Sequence, residues 1–448
     1  MRASIARAAA AAACVTAGLL ICTGCTTGGS AAASPPASPA SPAPALPARA
    51  LASPGCSGAT VTRAALTGVR TGMRSVPGAP FGVAFTPDGR WAFAAVGGGI
   101  EVLRAGQSLT PVRTITVPRA AAGETMTGDG RYLLAADGSG AVVISVARAE
   151  RGTPGAVLGT LATPAASSAS ASSPSGPGLI ATAIEVAVSP DGRFAFVTLE
   201  YSDRVAVFNL AQALNGGFGA ADYVGSVPLG QAAVGLAVAP GGRWLYATSE
   251  IGLPAQDMAG LGNSATDTVT GDRCPSTEPG EPPGTLTVIS LPRAETDPAV
   301  SVVATVAAGD QPVRVVTAAD GSQVWVTARA SDDLLCFSAA RLVSAPARAL
   351  VAIVRVGQAP VGLMAVRGGS LIVVADSNRF GTAGAASDLD VVSVADALAG
   401  RPAVLGHVAA GGFPRDMAVS AGGDGTLLVS DFASSQLETV DVPTLPGG

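Results

Sequence analysis

The chain is built from a repeat: an apolar strand, a tight turn, a second strand, a short connection and a third strand recur seven times along it. The turns show the repeat most clearly. Their best copies are residues 86–90 (TPDGR), 128–131 (GDGR), 189–193 (SPDGR) and 239–243 (APGGR), with weaker copies at 319–322, 367–370 and 421–423. Proline presets φ, aspartate bonds its own backbone, and glycine closes the reversal without steric cost. The repeat therefore predicts strand hairpins.

A third strand follows each hairpin, at residues 100–103, 142–145, 205–208, 286–289, 334–337, 389–392 and 437–440. A fourth strand follows in the first six units, for example at residues 112–117, 302–307, 351–356 and 404–409. The seventh unit ends too early for one, but residues 71–77 precede the first unit as a fourth strand precedes the later ones. An N-terminal strand that completes the last sheet closes a ring of four-stranded blades without a free edge.

The sequence thus predicts an all-β fold, a seven-bladed β-propeller of four-stranded antiparallel blades over residues 59–448. A period of about 40 to 60 residues indicates one array rather than several domains. Short strands bounded by Gly, Pro and Asp fit this fold, and we expect no capped stretch of helical length between them.

Three second strands share a pattern, at residues 196–199 (FVTL), 246–249 (YATS) and 326–328 (VTA). These segments resemble the YVTN repeat of seven-bladed propellers, over about residues 66–445, and lactonase-type propellers share that broad architecture. The resemblance implies a fold much more than an activity. The chain has no WD dipeptides where a WD40-like repeat would carry them.

Residues 1–24 predict an export signal, because a basic start precedes an apolar run that is short for a membrane span. The signal ends in a sequence that resembles a bacterial lipobox, with Cys25 as the lipid acceptor, although Cys22 stands where lipoproteins usually carry Leu. Residues 25–58, rich in Ala, Ser and Pro, predict a disordered tether. The expected location is the outer face of the cytoplasmic membrane, through a lipid on Cys25, with ordinary secretion as the alternative.

The net charge of −5 has the wrong sign for a surface that binds phosphates, so nucleic acid is not an expected partner. Cys336 lies in an apolar strand and is predicted to be a small buried hydrophobe. Cys56 and Cys274 lie in loop-like sequence, and in an oxidising compartment they could pair as a disulfide or remain free.

Three insertions fall at one end of the predicted ring. Residues 165–180 precede a first strand, whereas residues 251–284 and 379–388 connect a second strand to a third. Both kinds of connection open on the end of the ring where the first strands begin, which we call the top face. Long loops on one face of a rigid ring can form a binding surface, and tolerated insertions without a role are the alternative.

Charged residues are predicted to gather where the channel opens on the top face. Aligned first strands place Gly82, Gly123, Glu185, Gly235, Arg314, Gly362 and Asp416 at equivalent ring positions, and the second strands end in Glu250, Arg329, Asp376 and Asp431. Such a funnel can recognise a polar ligand, or its charges can simply neutralise one another. No cofactor is expected unless a divalent cation such as calcium binds, which would use Glu185, Asp376, Asn378, Asp416 or Asp431.

Catalytic patterns are scarce. His407, the single histidine, falls in a predicted fourth strand on an outer edge, which disfavours a Ser-His-Asp centre. Nucleophile-elbow, phosphate-loop, zinc and EF-hand motifs are absent from the sequence. The leading hypothesis is a monomeric, non-catalytic, surface-anchored propeller whose top face binds an envelope protein or a cell-wall component. The alternatives are a lactonase-like hydrolase that uses funnel carboxylates with a divalent cation, and a purely structural envelope protein.

Overall fold

The computed structural model describes residues 63–106, 108–164, 182–252, 283–420 and 425–447, together with the backbone of residues 264–265. Their strands form seven sheets with four antiparallel strands each, and every first strand contacts the first strands of two neighbouring sheets. The chain is therefore a seven-bladed β-propeller, as its repeats predict.

Strand β1 (Thr71–Ser75) precedes the blades, which follow in chain order. Blade 1 contains β2 (Pro80–Phe85), β3 (Trp91–Val96), β4 (Gly99–Arg104) and β5 (Thr110–Thr116). Blade 2 contains β6 (Ala121–Met126), β7 (Tyr132–Asp137), β8 (Gly140–Ser145) and β9 (Val157–Ala162). Blade 3 contains β10 (Ala183–Val188), β11 (Phe194–Leu199), β12 (Arg204–Asn209) and β13 (Tyr223–Pro228). Blade 4 contains β14 (Gln231–Val238), β15 (Trp244–Ile251), β17 (Thr285–Ser290) and β18 (Val302–Ala307), with the short parallel strand β16 (Ser264–Ala265) beside β18.

The last three blades follow the same order. Blade 5 contains β19 (Pro312–Thr317), β20 (Gln323–Ala328), β21 (Asp333–Ser338) and β22 (Leu350–Arg355). Blade 6 contains β23 (Pro360–Val366), β24 (Leu371–Asp376), β25 (Asp388–Ser393) and β26 (Val404–Ala409). Blade 7 contains β27 (Pro414–Val419), β28 (Thr426–Asp431) and β29 (Gln436–Asp441), and β1 is its fourth strand.

The ring closes through its two ends. β1 pairs antiparallel with β29, from Thr71 opposite Val440 to Ser75 opposite Gln436, which confirms the predicted closure. The preceding segment lies along the outer edge of blade 6, where Ala65 forms a parallel bridge with His407. His407 thus lies in a fourth strand, as the sequence predicts, and the N-terminal segment covers the edge of that strand.

The turn between the first two strands shows why its residues recur. The hydroxyl of Thr86 donates to Asp88 Oδ1 at 2.6 Å, and the Arg90 N–H donates to the same oxygen at 3.0 Å. Gly89 has φ 66°, a left-handed conformation that favours glycine, and its N–H donates to the Thr86 carbonyl at 2.8 Å. Residues 127–131 and 189–193 repeat this network.

Short helices between third and fourth strands were not expected. They are α1 (Val146–Arg151), α2 (Leu210–Gly216), α3 (Leu291–Ala294), α4 (Ala339–Ser344) and α5 (Val394–Leu398). The prediction of no helical interruption is wrong because one or two turns are too short to show a helical period. The N-cap signal is nevertheless present: Asn209, Ser338 and Ser393 each accept a hydrogen bond from the backbone N–H three residues later.

The hydrophobic core is divided among the joints between blades. Among the described residues, seven apolar clusters each join two neighbouring blades, including blade 7 with blade 1. Cys336 is fully buried in the cluster between blades 5 and 6, as predicted. Because each blade is packed on both faces, the ring holds the inner strands, and therefore the channel, in fixed positions.

Candidate functional site

The inner strands are irregular where they line the channel. In each blade the pairing between first and second strands shifts register immediately around the ring position. A bulge of this kind re-aims side chains that would otherwise alternate between the two faces of a sheet. The ring residues can therefore meet across the channel although they come from different blades.

A hydroxyl on the second strand ties neighbouring blades together beside four ring positions. Thr198, Thr248, Thr327 and Ser430 each accept from the ring N–H of their own blade and donate to a first-strand carbonyl of the next blade. Thr327, for example, accepts from Arg314 N at 3.1 Å and donates to the Val361 carbonyl at 2.7 Å. The threonines of the YVTN-like segments thus have a structural role at the channel wall.

The joints without this hydroxyl use glycine instead. Blades 1, 2 and 6 carry alanine at the matching second-strand position and glycine in the ring, the glycines being Gly82, Gly123 and Gly362. A Cβ atom on Gly123 would lie 2.7 Å from the Ile184 carbonyl, and one on Gly362 would lie 2.8 Å from the Arg415 carbonyl. Backbones of adjacent blades approach too closely there for a side chain, so the charged ring residues come from blades 3, 5 and 7.

Arg314 brings the charged ring residues together. Its Nη1 lies 3.0 Å from Glu185 Oε2, and its Nε lies 3.7 Å from Asp416 Oδ1. Burial raises the pKa of Glu185 to about 8, against the attraction of Arg314. Burial also raises the pKa of Asp416, again opposed by Arg314. The nearby Glu124 has a pKa well above its usual value because it is buried and faces the charge of Asp416.

A second ion pair lies nearer the top face. Arg329 Nη2 donates to Glu250 Oε2 at 2.8 Å, so these two strand-end residues meet. Burial lowers the pKa of Arg329, and Glu250 opposes that shift.

Arg415 is surrounded by aromatic rings. Its guanidinium carbon lies 3.7 Å from the centre of the Phe81 ring and 5.4 Å from those of Phe413 and Phe432. Its Nε is buried without a hydrogen-bond acceptor, and its side chain makes no salt bridge within the described part of the chain. Burial, with the charges of Arg314 and Arg379, lowers the pKa of Arg415 to about 9.

These groups border a concave space on the top face, which we call the mouth pocket. Its lining residues are Ile184, Val234, Glu250, Val313, Arg314, Arg329, Val361, Arg379, Phe413 and Arg415. The space measures about 340 Å³, including open solvent at its mouth. Among the described lining residues, four arginines stand beside one carboxylate, Glu250, and apolar side chains form the rest of the wall. Glu200 lies close enough to interact with Glu250 and with Arg329, Arg379 and Arg415.

Asp376 belongs to a different cluster, together with Asp388 and Asp390 of the third strand. One carboxylate oxygen from each of these three acids lies within 4.8 Å of the other two, and the described residues contain no other group of three acids, histidines or cysteines that is as close. Arg63 Nη1 donates to all three, at 3.1 Å to Asp376, 2.8 Å to Asp388 and 2.5 Å to Asp390. Burial would lower the pKa of Arg63, but its bonds and charges with the three acids raise it above the ordinary value.

Asp431 occupies the position of Asp376 one blade further on. It lies beside Glu438, and the carboxyl oxygens of both residues are buried without a hydrogen-bond partner. Burial raises the pKa of Asp431 to about 7 and that of Glu438 to about 8. The nearby backbone N–H of Gly411 favours the ionised forms and opposes both shifts.

The structure therefore divides the candidate residues among separate places. Glu185, Arg314 and Asp416 meet in the channel, Arg329 and Glu250 pair above them, and Asp376 and Asp431 lie in clusters of blades 6 and 7. Asn378 donates to the Ala385 carbonyl within its own loop. Cys25, Cys56 and Cys274 lie outside the described residues, as do the insertions at 165–180 and most of 251–284.

Sequence reasoning missed the partners of these acids. Arg63 lies in a segment that has no counterpart in the repeats, and Asp388 and Asp390 follow ordinary strand alternation. The usable signal was the blade alignment itself, which places Glu438 and Asp390 at matching third-strand positions, opposite Val429 and Val374. Two acids at one structural position are a reason to look for a counter-charge.

Comparisons with known proteins support the fold. Hydrazine synthase from Kuenenia stuttgartiensis has a similar structure, with a TM-score of 0.58 and 14% sequence identity, over 82% of this chain and 96% of that chain. At this identity the similarity shows the propeller fold alone. No family model matches the chain, and no curated protein matches it. None of the helices formed by the described residues has the length and apolar character needed to span a bilayer.

Proposed function

We propose that the protein is a lipid-anchored, YVTN-type propeller that binds an envelope protein or a cell-wall component on its top face without changing it chemically. The observation that carries this proposal is the mouth pocket, because side chains from five blades form it on a rigid ring. Preformed concave sites with a few convergent polar groups are the usual places for ligands.

The chemistry of the pocket favours binding over catalysis. Glu250 is its single carboxylate, and Arg329 already binds that group at 2.8 Å. General acid–base catalysis needs a titratable group within hydrogen-bond reach of the substrate. Arginine and apolar side chains instead supply charge, shape and desolvation, which are the requirements of recognition.

The hydrolase alternative needs a divalent cation, and the acidic clusters are poorly suited to one. Arg314 supplies the positive charge between Glu185 and Asp416, and Arg63 does the same for the cluster around Asp376. A cation would have to displace these guanidinium groups. A rise in melting temperature with calcium or manganese, lost in both Asp416→Ala and Glu185→Ala, would favour the hydrolase instead.

Site-specific photo-crosslinking tests the binding face. Phe380 is 50% exposed in a top-face loop, whereas Leu398 is 41% exposed in a helix at the opposite end of the ring. A photo-reactive residue at position 380 of the anchored protein should capture the same envelope component reproducibly, and one at position 398 should not. Equal capture at both positions, or capture only at 398, would contradict the proposal.

The anchor has its own test. Cells that produce the protein should incorporate labelled palmitate into it, and Cys25→Ser should abolish the label and release the chain from the membrane fraction. Cys22→Ser is the matched control and should keep both label and anchor. Retention of the Cys25→Ser chain in the membrane would show that another element holds it there.

A further inference from the structure

We infer that the mouth pocket recognises a terminal carboxylate that is attached to an apolar residue, as at the end of a peptide. The inference deepens the proposed function, on which it rests for the choice of the top face. It names the chemical group of the partner that enters the pocket.

The pocket has a surplus of positive charge. Among its lining residues, Arg329 is neutralised by Glu250, and Arg314 is held by Glu185 and Asp416 below. Arg379 and Arg415 form no salt bridge within the described residues, although the half-buried Glu200 lies within electrostatic range of both. An incoming anion would therefore meet two unpaired guanidinium groups.

Arg415 is prepared for a planar anion. Three phenylalanine rings surround its guanidinium, and the nearest, Phe81, lies 3.7 Å away. Stacking of this kind stabilises the cation through its face but supplies no acceptor for the N–H groups in its plane. A carboxylate accepts two parallel N–H bonds in that plane, which suits an arginine whose Nε is buried without an acceptor.

The apolar wall defines the neighbouring group. Ile184, Val234, Val313 and Val361 occupy equivalent first-strand positions and form one hydrophobic cluster around the channel mouth. A ligand that places its carboxylate on Arg415 would lie with its next atoms against these side chains.

A carboxylate fits better than a doubly charged phosphate. Arg314, the cation of the layer below, is already shared between Glu185 and Asp416, so it is not free to bind a second negative charge that enters deeply. One negative charge that stays beside Arg415 and Arg379 satisfies the surplus without approaching that layer.

Calorimetry with the full mature chain tests the inference. The probe is acetyl-Ala-Val-Leu with a free carboxylate, and its amide is the control ligand. The carboxylate should bind at least about tenfold more tightly, since charge-assisted hydrogen bonds to the arginines are lost with the amide. Acetyl-D-Ala-D-Ala, compared with its own amide, distinguishes a cell-wall peptide from a protein terminus as the source of the group.

Variants locate the binding. Arg415→Gln and Arg379→Gln should each weaken binding of the tighter carboxylate about tenfold. Arg379 is exposed at the rim, so its variant keeps the test valid if Arg415→Gln disturbs folding. Arg151→Gln, in a helix at the opposite end of the ring, should change nothing.

Several results would overturn the inference: no binding of either carboxylate, equal binding of carboxylate and amide, or binding that Arg379→Gln leaves unchanged. Inorganic phosphate that binds where the carboxylates do not would also overturn it. Continued capture at position 380 would then show that the proposed function survives without this group. Carboxylate binding without any capture at position 380 would show that the pocket recognises the carboxylate and that the proposed function fails.

Discussion

Blades 6 and 7 bury acidic groups at equivalent positions and neutralise them differently. Asp376 and Asp390 of blade 6 correspond to Asp431 and Glu438 of blade 7. Arg63 enters the first cluster from the N-terminal segment, whereas the oxygens of the second have no partner. In blade 6, burial and mutual repulsion raise the pKa of Asp376 and Asp390, and Arg63 opposes both shifts. In blade 7, no described cation opposes the rise that burial causes in the pKa of Asp431 and Glu438, so these acids hold protons. Blade 6 should therefore depend on one arginine, and blade 7 on pH.

Removal of Arg63 should have the largest effect. Arg63→Ala leaves three buried carboxylates without their counter-charge, which should lower the free energy of unfolding by about 3–5 kcal/mol. Urea unfolding at pH 7 measures it. The matched control is Arg70→Ala, because Arg70 comes from the same segment but makes a salt bridge to Asp441 with its side chain 74% exposed. That change should lower the free energy of unfolding by less than about 1 kcal/mol. Equal losses would show that the blade 6 cluster needs no cation.

The next prediction concerns the pH dependence of blade 7. The pKa values of Asp431 and Glu438, about 7 and about 8, lie above the values of 3.8 and 4.5 expected when the chain is unfolded. Between these limits the folded protein binds more protons than the unfolded one, so its stability falls as pH rises. The contribution of the pair is complete below about pH 4 and lost above about pH 8.

Unfolding midpoints in urea at pH 5 and pH 8.5 measure this slope. Between about pH 5 and pH 8.5, the free energy of unfolding should fall less in the double variant Asp431→Asn and Glu438→Gln than in the wild type. The difference between the two falls should be at least about 2 kcal/mol. Asp88→Asn is the control, since hydrogen bonds from Thr86 and Arg90 lower the pKa of Asp88 to about 2, below the range tested. A double variant with the wild-type slope would mean that other groups set the pH dependence.

The smallest effect should come from giving blade 7 a cation of its own. Met73 pairs with Glu438, and its side chain is 47% exposed, so Met73→Arg places a guanidinium on the same face as the acid. We expect the pKa of Glu438 to fall and stability at pH 8.5 to rise by about 1 kcal/mol, with little change at pH 5. Met73→Gln is the neutral control. A gain of the same size at both pH values would point to packing rather than charge.

The repeats made most of the fold predictable from the sequence. The turn at residues 86–90 and its copies mark the hairpins, and the missing fourth strand of the last unit identifies residues 71–77 as its replacement. The short helices were missed because they are shorter than any period that reveals a helix.

The site was less predictable because its contacts cross between blades. Alignment placed Glu185, Arg314 and Asp416 in one ring, but only the closed ring shows that Arg314 reaches both acids. The role of Arg63 could not be predicted, because its partners in blade 6 lie more than 300 positions later in the chain. Long side chains that link distant parts of a sequence leave no local pattern.

The pairing of β1 with β29 also orders the events of biosynthesis. Thr439 Oγ1 donates to the Gly72 carbonyl across a separation of 367 positions. During translation, β1 therefore leaves the ribosome long before β29, the strand with which it pairs. Until translation is complete, the nascent chain carries two unsatisfied strand edges that are prone to aggregate. Translation that stops before β29 would therefore yield an open ring that is prone to aggregate, because β1 would lack its only pairing strand among the described residues.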